Sequence, residues 1–307
     1  MEIYQGLNNL DTYKNIVIAL GNFDGVHMGH RELICRTVEI SQKREGTAAV
    51  FTFDPHPLKV LQPDSYPQML LTKEDKIRIM SELGIQLLII FPFLDFISKL
   101  TPRQFVKEIL VDKLKVKLVV VGYNYNFGFK GEGNAESLQE LAAEYGIEAI
   151  IVPPVKRGLV EVSSTLIRNL LLDGNVSDAA EYLGYYPFVE SYVVAGDQRG
   201  TKIGFPTANI NLSEEVITPA NGVYAVRVYI NGQKLNGIAN IGIKPTFDLD
   251  QPKNLEVHVF DFCEDIYHTR IRVEFIGRIR GEQQFSSVSE LIIQIAEDVT
   301  EAKKMLF

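Results

Sequence analysis

The chain has 307 residues, of which 46% are hydrophobic and 23% are charged. These values are typical of globular proteins, and the length predicts two domains. Asp and Glu total 39 against 31 Lys and Arg, a formal net charge of −8, which argues against a general binder of the nucleic-acid phosphate backbone.

The cysteine content and the apolar runs bear on where the protein works. Cys35 and Cys263 are too few and too far apart to form a disulfide framework or a zinc site, which favours a reducing compartment. The chain starts without a basic segment followed by an apolar run, and its most apolar stretch, residues 87–94, is shorter than a membrane span. We therefore expect a soluble cytoplasmic protein that binds neither a membrane nor nucleic acid.

The first half of the chain alternates apolar runs with amphipathic segments. The runs are residues 16–20, 48–51, 87–91, 118–121 and 149–152. Continuous apolar strands separated by helices are typical of a parallel sheet that is buried on both faces. Thr72 and Thr101 stand at N-cap positions of two intervening helices, and Thr101 is followed by a proline and a glutamine at capping-box spacing. This half is predicted to be an α/β domain.

After Gly184 the pattern changes to strands of alternating polarity, such as residues 223–230, which end at the typical hairpin turn Asn231-Gly232. This pattern predicts a small antiparallel barrel. Apolar residues at helical spacing then predict a C-terminal helix on the outside of the barrel, namely Leu291, Ile292, Ile295, Ala296, Val299 and Ala302. We place the domain boundary near residue 184, which gives domains 1–184 and 185–307.

A glycine-rich turn, residues 21–30, follows the first apolar run. A turn of this kind between a parallel strand and a helix presents backbone N–H groups and the positive end of the helix dipole to a phosphate. Its glycines do not have the G-x-G-x-x-G spacing of dehydrogenases. His27 and His30 lie on one side of the first helical turn, where imidazoles can donate hydrogen bonds to a phosphate in a transition state. The alternative is a turn with two incidental surface histidines.

Two further segments before residue 184 suit a nucleotide. Ser163-Ser164-Thr165 opens a helix with Arg168 one turn inside it, so hydroxyls, N–H groups and a guanidinium can converge on a triphosphate. The loop 122–128 follows the fourth apolar run and is rich in aromatic side chains. The ordinary alternatives are an N-cap with a surface arginine and a structural loop.

The second half contains its own candidates for phosphate binding. The loop 196–209 holds three glycines and two basic residues and does not match the Walker pattern. A proline stiffens the backbone beside Thr207 and Asn209, whose oxygen atoms suit a hard cation such as Mg²⁺. The period of two in the next strand places Glu256 and His258 on one face. A loop that closes the barrel and a solvent-facing strand are the alternatives.

These segments together resemble the prokaryotic bifunctional riboflavin kinase/FMN adenylyltransferases, also called FAD synthetases. The resemblance before residue 184 rests on the H-x-G-H turn 21–30, the block 53–57, the loop 121–128 and S-S-T-x-x-R at 163–168. After it, the matching segments are 204–209, 222–224, 240–242, 245–247 and 255–258, in the order that the family shows. Asn124-Tyr125 stands where the family more often has Asp-Phe, and His268 stands where it often has glycine.

The resemblance implies a fold and a set of site residues. It implies a nucleotidylyltransferase-like α/β domain with a Rossmann-like parallel sheet, followed by a mainly antiparallel β-barrel domain with a C-terminal helix. For adenylylation it implies ATP contacts from Gly21, Asn22, Phe23, Asp24, Gly25, His27, His30, Asn124, Ser163, Ser164, Thr165 and Arg168, and flavin contacts from Phe53, Pro55, His56 and Pro57. For the kinase it implies ATP contacts from Gly196, Arg199, Gly200, Lys202, Gly204, Pro206, Thr207 and Asn209, the last two holding Mg²⁺.

We therefore expect an enzyme that phosphorylates riboflavin with ATP and then transfers AMP from a second ATP to FMN, giving FAD and pyrophosphate. The resemblance implies that Glu256 takes the proton of the ribityl 5′-hydroxyl and that His27, His30 and Arg168 act in adenylylation. Two alternatives stay open. A nicotinamide dehydrogenase with an added barrel is disfavoured by the glycine spacing, and a nucleotidylyltransferase whose barrel only binds RNA is disfavoured by the net charge.

Overall fold

Two compact units make up the chain, which a computed structural model describes over residues 1–7, 10, 12–93, 95–196, 199–243 and 253–307. For residues 95, 199 and 243 the structure describes the backbone alone. By contacts between residues, one unit is Met1–Ser163 and the other is Ser164–Phe307. The expected division of the two activities at residue 184 lies further along the chain and stays a prediction.

The first unit contains a six-stranded parallel sheet. Its strands and those of two small hairpins are β1 (Glu2–Gln5), β2 (Val17–Leu20), β3 (Ala48–Phe53), β4 (Leu87–Phe91), β5 (Leu118–Gly122), β6 (Asn126–Phe127), β7 (Gly133–Asn134), β8 (Glu148–Val152), β9 (Lys156–Arg157) and β10 (Val160–Glu161). The sheet order is β1-β4-β3-β2-β5-β8, and every neighbouring pair is parallel. The parallel, Rossmann-like sheet predicted from the apolar runs is confirmed.

Burial explains which strands the sequence pattern reveals. The strands β2, β3, β4 and β5 are almost entirely buried, as expected for apolar runs covered on both faces. The strand β1 is not predicted from the pattern, because it lies at the edge of the sheet and three of its four residues are exposed. An edge strand needs an apolar side chain on one face at most, so its pattern is weak.

Helices pack against this sheet and connect its strands. They are α1 (Met28–Lys43), α2 (Pro57–Leu61), α3 (Lys73–Glu82), α4 (Asp95–Ser98), α5 (Pro102–Gln104) with its π-helical continuation Phe105–Lys113, and α6 (Ala135–Glu144), besides the 3₁₀ turns Pro63–Ser65 and Phe129–Gly131. The Thr72 and Thr101 hydroxyls accept the N–H groups of Asp75 and Gln104, and Gln104 closes a capping box. Both predicted helix starts are therefore confirmed.

The second unit is a closed barrel with helices at both ends of its sequence. Its elements are α7 (Ser164–Leu172), α8 (Val176–Leu183), β11 (Phe188–Val194), α9 (Arg199–Lys202), β12 (Ala208–Asn211), β13 (Gly222–Ile230), β14 (Gln233–Ile243), β15 (Lys253–Val259), β16 (Arg270–Arg280) and α10 (Val288–Leu306). The strand order is β11-β12-β15-β14-β13-β16, with antiparallel pairing. Asn231 and Gly232 have φ of 49° and 81° and join β13 to β14, so the predicted barrel and hairpin turn are confirmed.

The helix α10 packs on the barrel as predicted, through part of the predicted stripe. Among the predicted stripe, Ile292 and Ala296 are exposed, whereas the contact with the barrel is made by Ile295, Val299, Ala302 and Leu306. The helix also holds a buried carboxylate. Asp298 is 2% exposed and pairs with Arg280 of β16, with 2.8 Å between Arg280 Nη2 and Asp298 Oδ2. An apolar stripe drawn from the sequence cannot include this polar position.

The helices α7 and α8 are joined to the barrel by backbone and side-chain contacts. The Ala220 N–H donates to Leu171 O at 2.9 Å, and the Arg278 guanidinium donates to Asp173 O at 3.0 Å. Apolar residues of α8 are buried, among them Val176 and Leu183, and α8 packs against β16. This pair of helices therefore contributes to the stability of the second unit.

We expect a fragment of residues 164–307 to be more stable than a fragment of residues 185–307. Burial of a Val or Leu side chain is worth about 1.5–3 kcal/mol, so loss of α7 and α8 should lower the melting temperature by roughly 5 °C or more. Circular dichroism melts of the two purified fragments measure this difference. Equal melting temperatures would show that the two helices add nothing to the barrel.

Candidate active sites

The glycine-rich turn lies between β2 and α1, at the carboxyl end of the parallel sheet. The Phe23 side chain is fully buried, and Asp24 is 4% exposed. Asp24 Oδ1 accepts the N–H group of Leu70 at 2.9 Å, which ties the turn to the segment before α3. The side chains of Phe23 and Asp24 thus face the protein interior, Gly25 is buried as well, and Gly21 and Asn22 are half-buried.

The two histidines of the turn lie against each other. Their ring centroids are 3.6 Å apart at an interplanar angle of 15°, and His27 Nδ1 accepts the His30 N–H at 3.3 Å as the N-cap of α1. Because Nδ1 is the acceptor, neutral His27 carries its proton on Nε2, which is then a donor. A Cβ at Gly29 would lie 3.2 Å from His27 Cε1, so the lack of a side chain at 29 leaves room for the stack.

The environment of His30 disfavours its charged form. Burial, the neighbouring His27 and the charge of Lys76 all lower the pKa of His30 well below its ordinary value. The ring is therefore neutral near pH 7 and acts as a hydrogen-bond donor or acceptor without a full charge. The predicted placement of His27 and His30 on one side of the first helical turn is confirmed.

A lysine that the sequence analysis did not single out lies at the same turn. Lys76 of α3 donates from Nζ to Asn22 O at 3.4 Å, and Thr52 Oγ1 donates to the same carbonyl at 3.2 Å. Burial lowers the pKa of Lys76, while Asp24 and Asp54 oppose that shift. In the sequence Lys76 has the spacing of an ordinary surface lysine on an amphipathic helix, so no signal marked it.

The predicted flavin block begins at Phe53, the last residue of β3. Phe53 packs edge-on against Phe51 and Phe93, with ring centroids 5.3 and 5.2 Å away. His56 caps α2 by accepting the Leu58 N–H at 3.2 Å on its Nδ1. These residues form local structure, and the rings of Pro55 and Pro57 beside them are half-buried.

The loop after β5 combines structural aromatic residues with an exposed amide. Tyr125 stacks on Phe127 at 5.7 Å, and burial raises the pKa of the Tyr125 hydroxyl. Tyr123 donates a 2.7 Å hydrogen bond to Glu161 Oε2. Asn124 is exposed, as are Tyr123 and Asn126 of the same loop.

The predicted S-S-T-x-x-R segment begins α7. The helix starts at Ser164, so Ser164, Thr165 and Arg168 belong to the second unit, whereas Ser163 is the last residue of the first. Thr165 is exposed, and Ser163, Ser164 and Arg168 are half-buried. The predicted position of Arg168 one turn inside the helix is confirmed.

A polar face on the barrel gathers four polar side chains, two of which are candidates from the sequence. Asn209 of β12 and Glu256 of β15 are register partners. Asn254 Nδ2 donates to Asn209 Oδ1 at 3.1 Å and to Glu256 Oε1 at 3.2 Å, which links the two. Asn240 of β14 pairs with Glu256 from the other side. The alternating burial predicted for residues 255–259 is confirmed, and Asn254 is the member of this face that the sequence analysis missed.

The loop before β12 lies directly against this face. A Cβ at Gly196 would overlap Asn209 Nδ2, and a Cβ at Gly200 would lie 3.2 Å from Thr207 Oγ1. The Pro206 carbonyl oxygen is 2.8 Å from His258 Nδ1, and Gly204 has φ of 89°. Lys202 is exposed. The side chain of Arg199 and the family segment 245–247 lie outside the described residues.

The chain combines a parallel α/β unit, which has paired histidines in its first turn, with a closed barrel that has a polar Asn-Glu face. This combination is that of a two-domain nucleotide-dependent transferase. A family model described as FAD synthetase matches residues 10–166, and one described as riboflavin kinase matches residues 183–306. The chain belongs to the bifunctional riboflavin kinase/FMN adenylyltransferase family. It therefore has both activities, with riboflavin, FMN and ATP as substrates and FAD as a product.

Named relatives match over nearly the full length. The chain is 39% identical to the bifunctional riboflavin kinase/FMN adenylyltransferase of Bacillus subtilis, over 93% of this chain and 91% of the relative. It is 38% identical to that of Escherichia coli K12, over 99% and 97%. A solved structure from Streptococcus pneumoniae, named a macrolide-efflux protein, matches with a TM-score of 0.87 and 32% identity over 98% of each chain. Among the described residues, no helix is both long and apolar enough to cross a membrane.

We expect His30 to remain neutral as the pH is lowered from 7.5 to 6. Its folded-state pKa lies below the unfolded value of about 6.5, so the unfolded chain takes up this proton first. The contribution of His30 to the free energy of unfolding is therefore fully present above pH 6.5 and decreases as the pH falls below this value. NMR titration of the ring nitrogens measures the folded-state pKa, and a value at or above 6.5 would contradict the expectation.

Proposed function

We propose that the kinase step takes place on the polar face formed by β12 and β15, with Glu256 as the general base. The pairing of Glu256 with Asn209, linked by Asn254, is the observation that carries this assignment. Glu256 accepts the proton of the riboflavin 5′-hydroxyl as this oxygen attacks the γ-phosphate of ATP. A primary alcohol is a weak nucleophile at neutral pH, so a carboxylate within hydrogen-bond reach lowers the barrier.

The proposal includes Mg²⁺ held by Thr207 and Asn209. A hydroxyl and an amide oxygen are hard ligands that suit this ion, which usually keeps several of its waters. The fit is supported by the close approach of the Gly196 and Gly200 backbone to these two side chains, since a Cβ at either glycine would fill the space beside them. When bound, Mg²⁺ neutralises charge on the ATP phosphates. Around it, the loop contributes contacts to ATP from Gly196, Arg199, Gly200, Lys202, Gly204 and Pro206.

Adenylylation is proposed to take place at the turn between β2 and α1. His27 and His30 donate hydrogen bonds to the phosphates of ATP, and the backbone of residues 21–25 supplies N–H groups. The 3.6 Å stack of the two rings supports this role because it presents both side chains together. Within the first unit, Asn124 and Ser163 add proposed ATP contacts, and Phe53, Pro55, His56 and Pro57 are the proposed flavin contacts. The ATP contacts that the resemblance implies for Ser164, Thr165 and Arg168 stay a prediction.

The division of labour and the cellular location are part of the same proposal. We assign adenylylation to residues 1–184 and the kinase to residues 185–307, in line with the ranges that the two family models match. Cys35 and Cys263 are both free and exposed, which supports a reducing compartment such as the cytoplasm. Macrolide efflux, the name given to the Streptococcus structure, is not proposed, because both units match flavin enzymes.

We expect the double variant His27→Ala/His30→Ala to lose FAD formation and to keep FMN formation. Loss of one such donor typically costs about 10²–10³ in rate, and the pair serves adenylylation alone. Chromatographic separation of FMN from FAD, after incubation with riboflavin, ATP and Mg²⁺, measures both steps in one sample. FAD formation within about threefold of the unaltered protein would refute the assignment of this turn.

We expect Glu256→Gln to lower the kinase rate by about 10²–10⁴, because glutamine keeps the shape of the side chain and cannot accept the proton. Adenylylation of supplied FMN should be unchanged, which serves as the control for folding. Glu190→Gln is a matched control, since Glu190 is also a half-buried carboxylate on a barrel strand. Near-normal phosphorylation of riboflavin by Glu256→Gln would identify Glu256 as an ordinary strand residue.

A further inference from the structure

Lys76 is a cation whose amino group is directed into the first unit. It is the fourth residue of α3, and its side chain is half-buried as it extends to the Asn22 carbonyl at the end of β2. Thr52, at the end of the neighbouring strand β3, donates to the same carbonyl. The amino group therefore lies at the carboxyl ends of two adjacent parallel strands, the edge at which ligands bind in sheets of this kind.

Charged groups of both signs surround Lys76. Asp24 and Asp54 favour its charged form, and Lys73 opposes it. Asp24 already accepts the Leu70 N–H, and Asp54 forms a 2.5 Å ion pair with Lys73. Removing an ammonium group from water is costly unless it is paired, and here burial lowers its pKa. Perturbed groups of this kind concentrate at functional sites.

The surroundings of Lys76 connect the two halves of the proposed adenylylation site. Asn22 belongs to the histidine-bearing turn, and the charge of Lys76 contributes to the lowered pKa of His30. Asp54, whose charge acts on Lys76, lies within the proposed flavin block 53–57. Lys76 thus lies beside both the turn proposed to bind ATP and the block proposed to bind the flavin.

The chemistry of adenylylation calls for a cation at that point. An oxygen of the FMN phosphate attacks the α-phosphorus of ATP, a new P–O bond forms, and the bond from the α-phosphorus to the bridging oxygen breaks as pyrophosphate leaves. Both reactants are anions, so their approach is opposed by repulsion. The neutral His30 ring supplies no net positive charge to offset it. A lysine is a compact point charge that binds phosphate oxygens.

We propose that the ammonium group of Lys76 binds the phosphate of FMN and positions it for attack on the α-phosphate of ATP. The inference rests on the proposed location of adenylylation at the β2–α1 turn. Lys76 therefore contributes to the binding of FMN and does not contribute to the affinity for ATP. Riboflavin, which lacks the phosphate, gains nothing from this contact.

Lys76→Met removes the charge and nearly keeps the length of the side chain. We expect it to raise KM for FMN in adenylylation by about 10- to 100-fold, the usual effect of losing one charge-assisted contact. KM for ATP should change less than twofold, and the kinase step should be unchanged. Lys76→Arg should restore most of the affinity for FMN. Lys107→Met is the matched control, because Lys107 is an exposed lysine in the same unit.

Two further measurements separate this role from a structural one and from a failure of the site assignment. Lys76→Gln keeps a donor for the Asn22 carbonyl without the charge, and it replaces Lys76→Met should the latter not fold. A normal KM for FMN in Lys76→Gln, or a rise in KM for ATP instead, would overturn the proposal. If His27→Ala/His30→Ala loses FAD formation while the Lys76 variants are normal, the site assignment stands and the role of Lys76 falls.

Discussion

Backbone hydrogen bonding between strands is the interaction on which both candidate sites depend. In the first unit, parallel pairing brings the carboxyl ends of β2 and β3 together, and with them the histidine-bearing turn, Thr52 and Asp54. In the second unit, the antiparallel register of β12 and β15 sets Asn209 opposite Glu256. A shift of register by one residue would turn either side chain to the other face of its strand. Side-chain hydrogen bonds then orient the side chains that strand pairing has brought together.

Much of the architecture is visible in the sequence because burial imposes a period on it. The strands buried on both faces are continuous apolar runs, and the alternation around Glu256 marks a strand with one polar face. The comparison of His268 with the family pattern is informative as well. This residue, at a position where the family often has glycine, has φ of 60°, a backbone conformation that glycine adopts without strain.

The features that sequence analysis missed are those set by contacts distant along the chain. Lys76 meets Asn22 only because α3 packs near the end of β2, and helical periodicity contains no trace of that contact. Asn254 bridges Asn209 and Glu256, yet in one dimension it is an ordinary polar strand residue. The burial of Asp298 on α10 is likewise not marked in the sequence, since its partner Arg280 lies on another element. The role of a buried polar group depends on its hydrogen-bond partner, and the positions of such partners along the sequence follow no period.

The close approach of Gly196 to the Asn209 amide has a consequence for how the enzyme tolerates genetic change. Any side chain at residue 196 would occupy the volume of that amide and displace it, although glycine itself offers no functional group. A screen of random variants for loss of riboflavin phosphorylation would therefore recover residue 196 on steric grounds alone, whatever contact its backbone makes with ATP. Sensitivity to substitution at this position reports on excluded volume, and chemical participation should not be inferred from it.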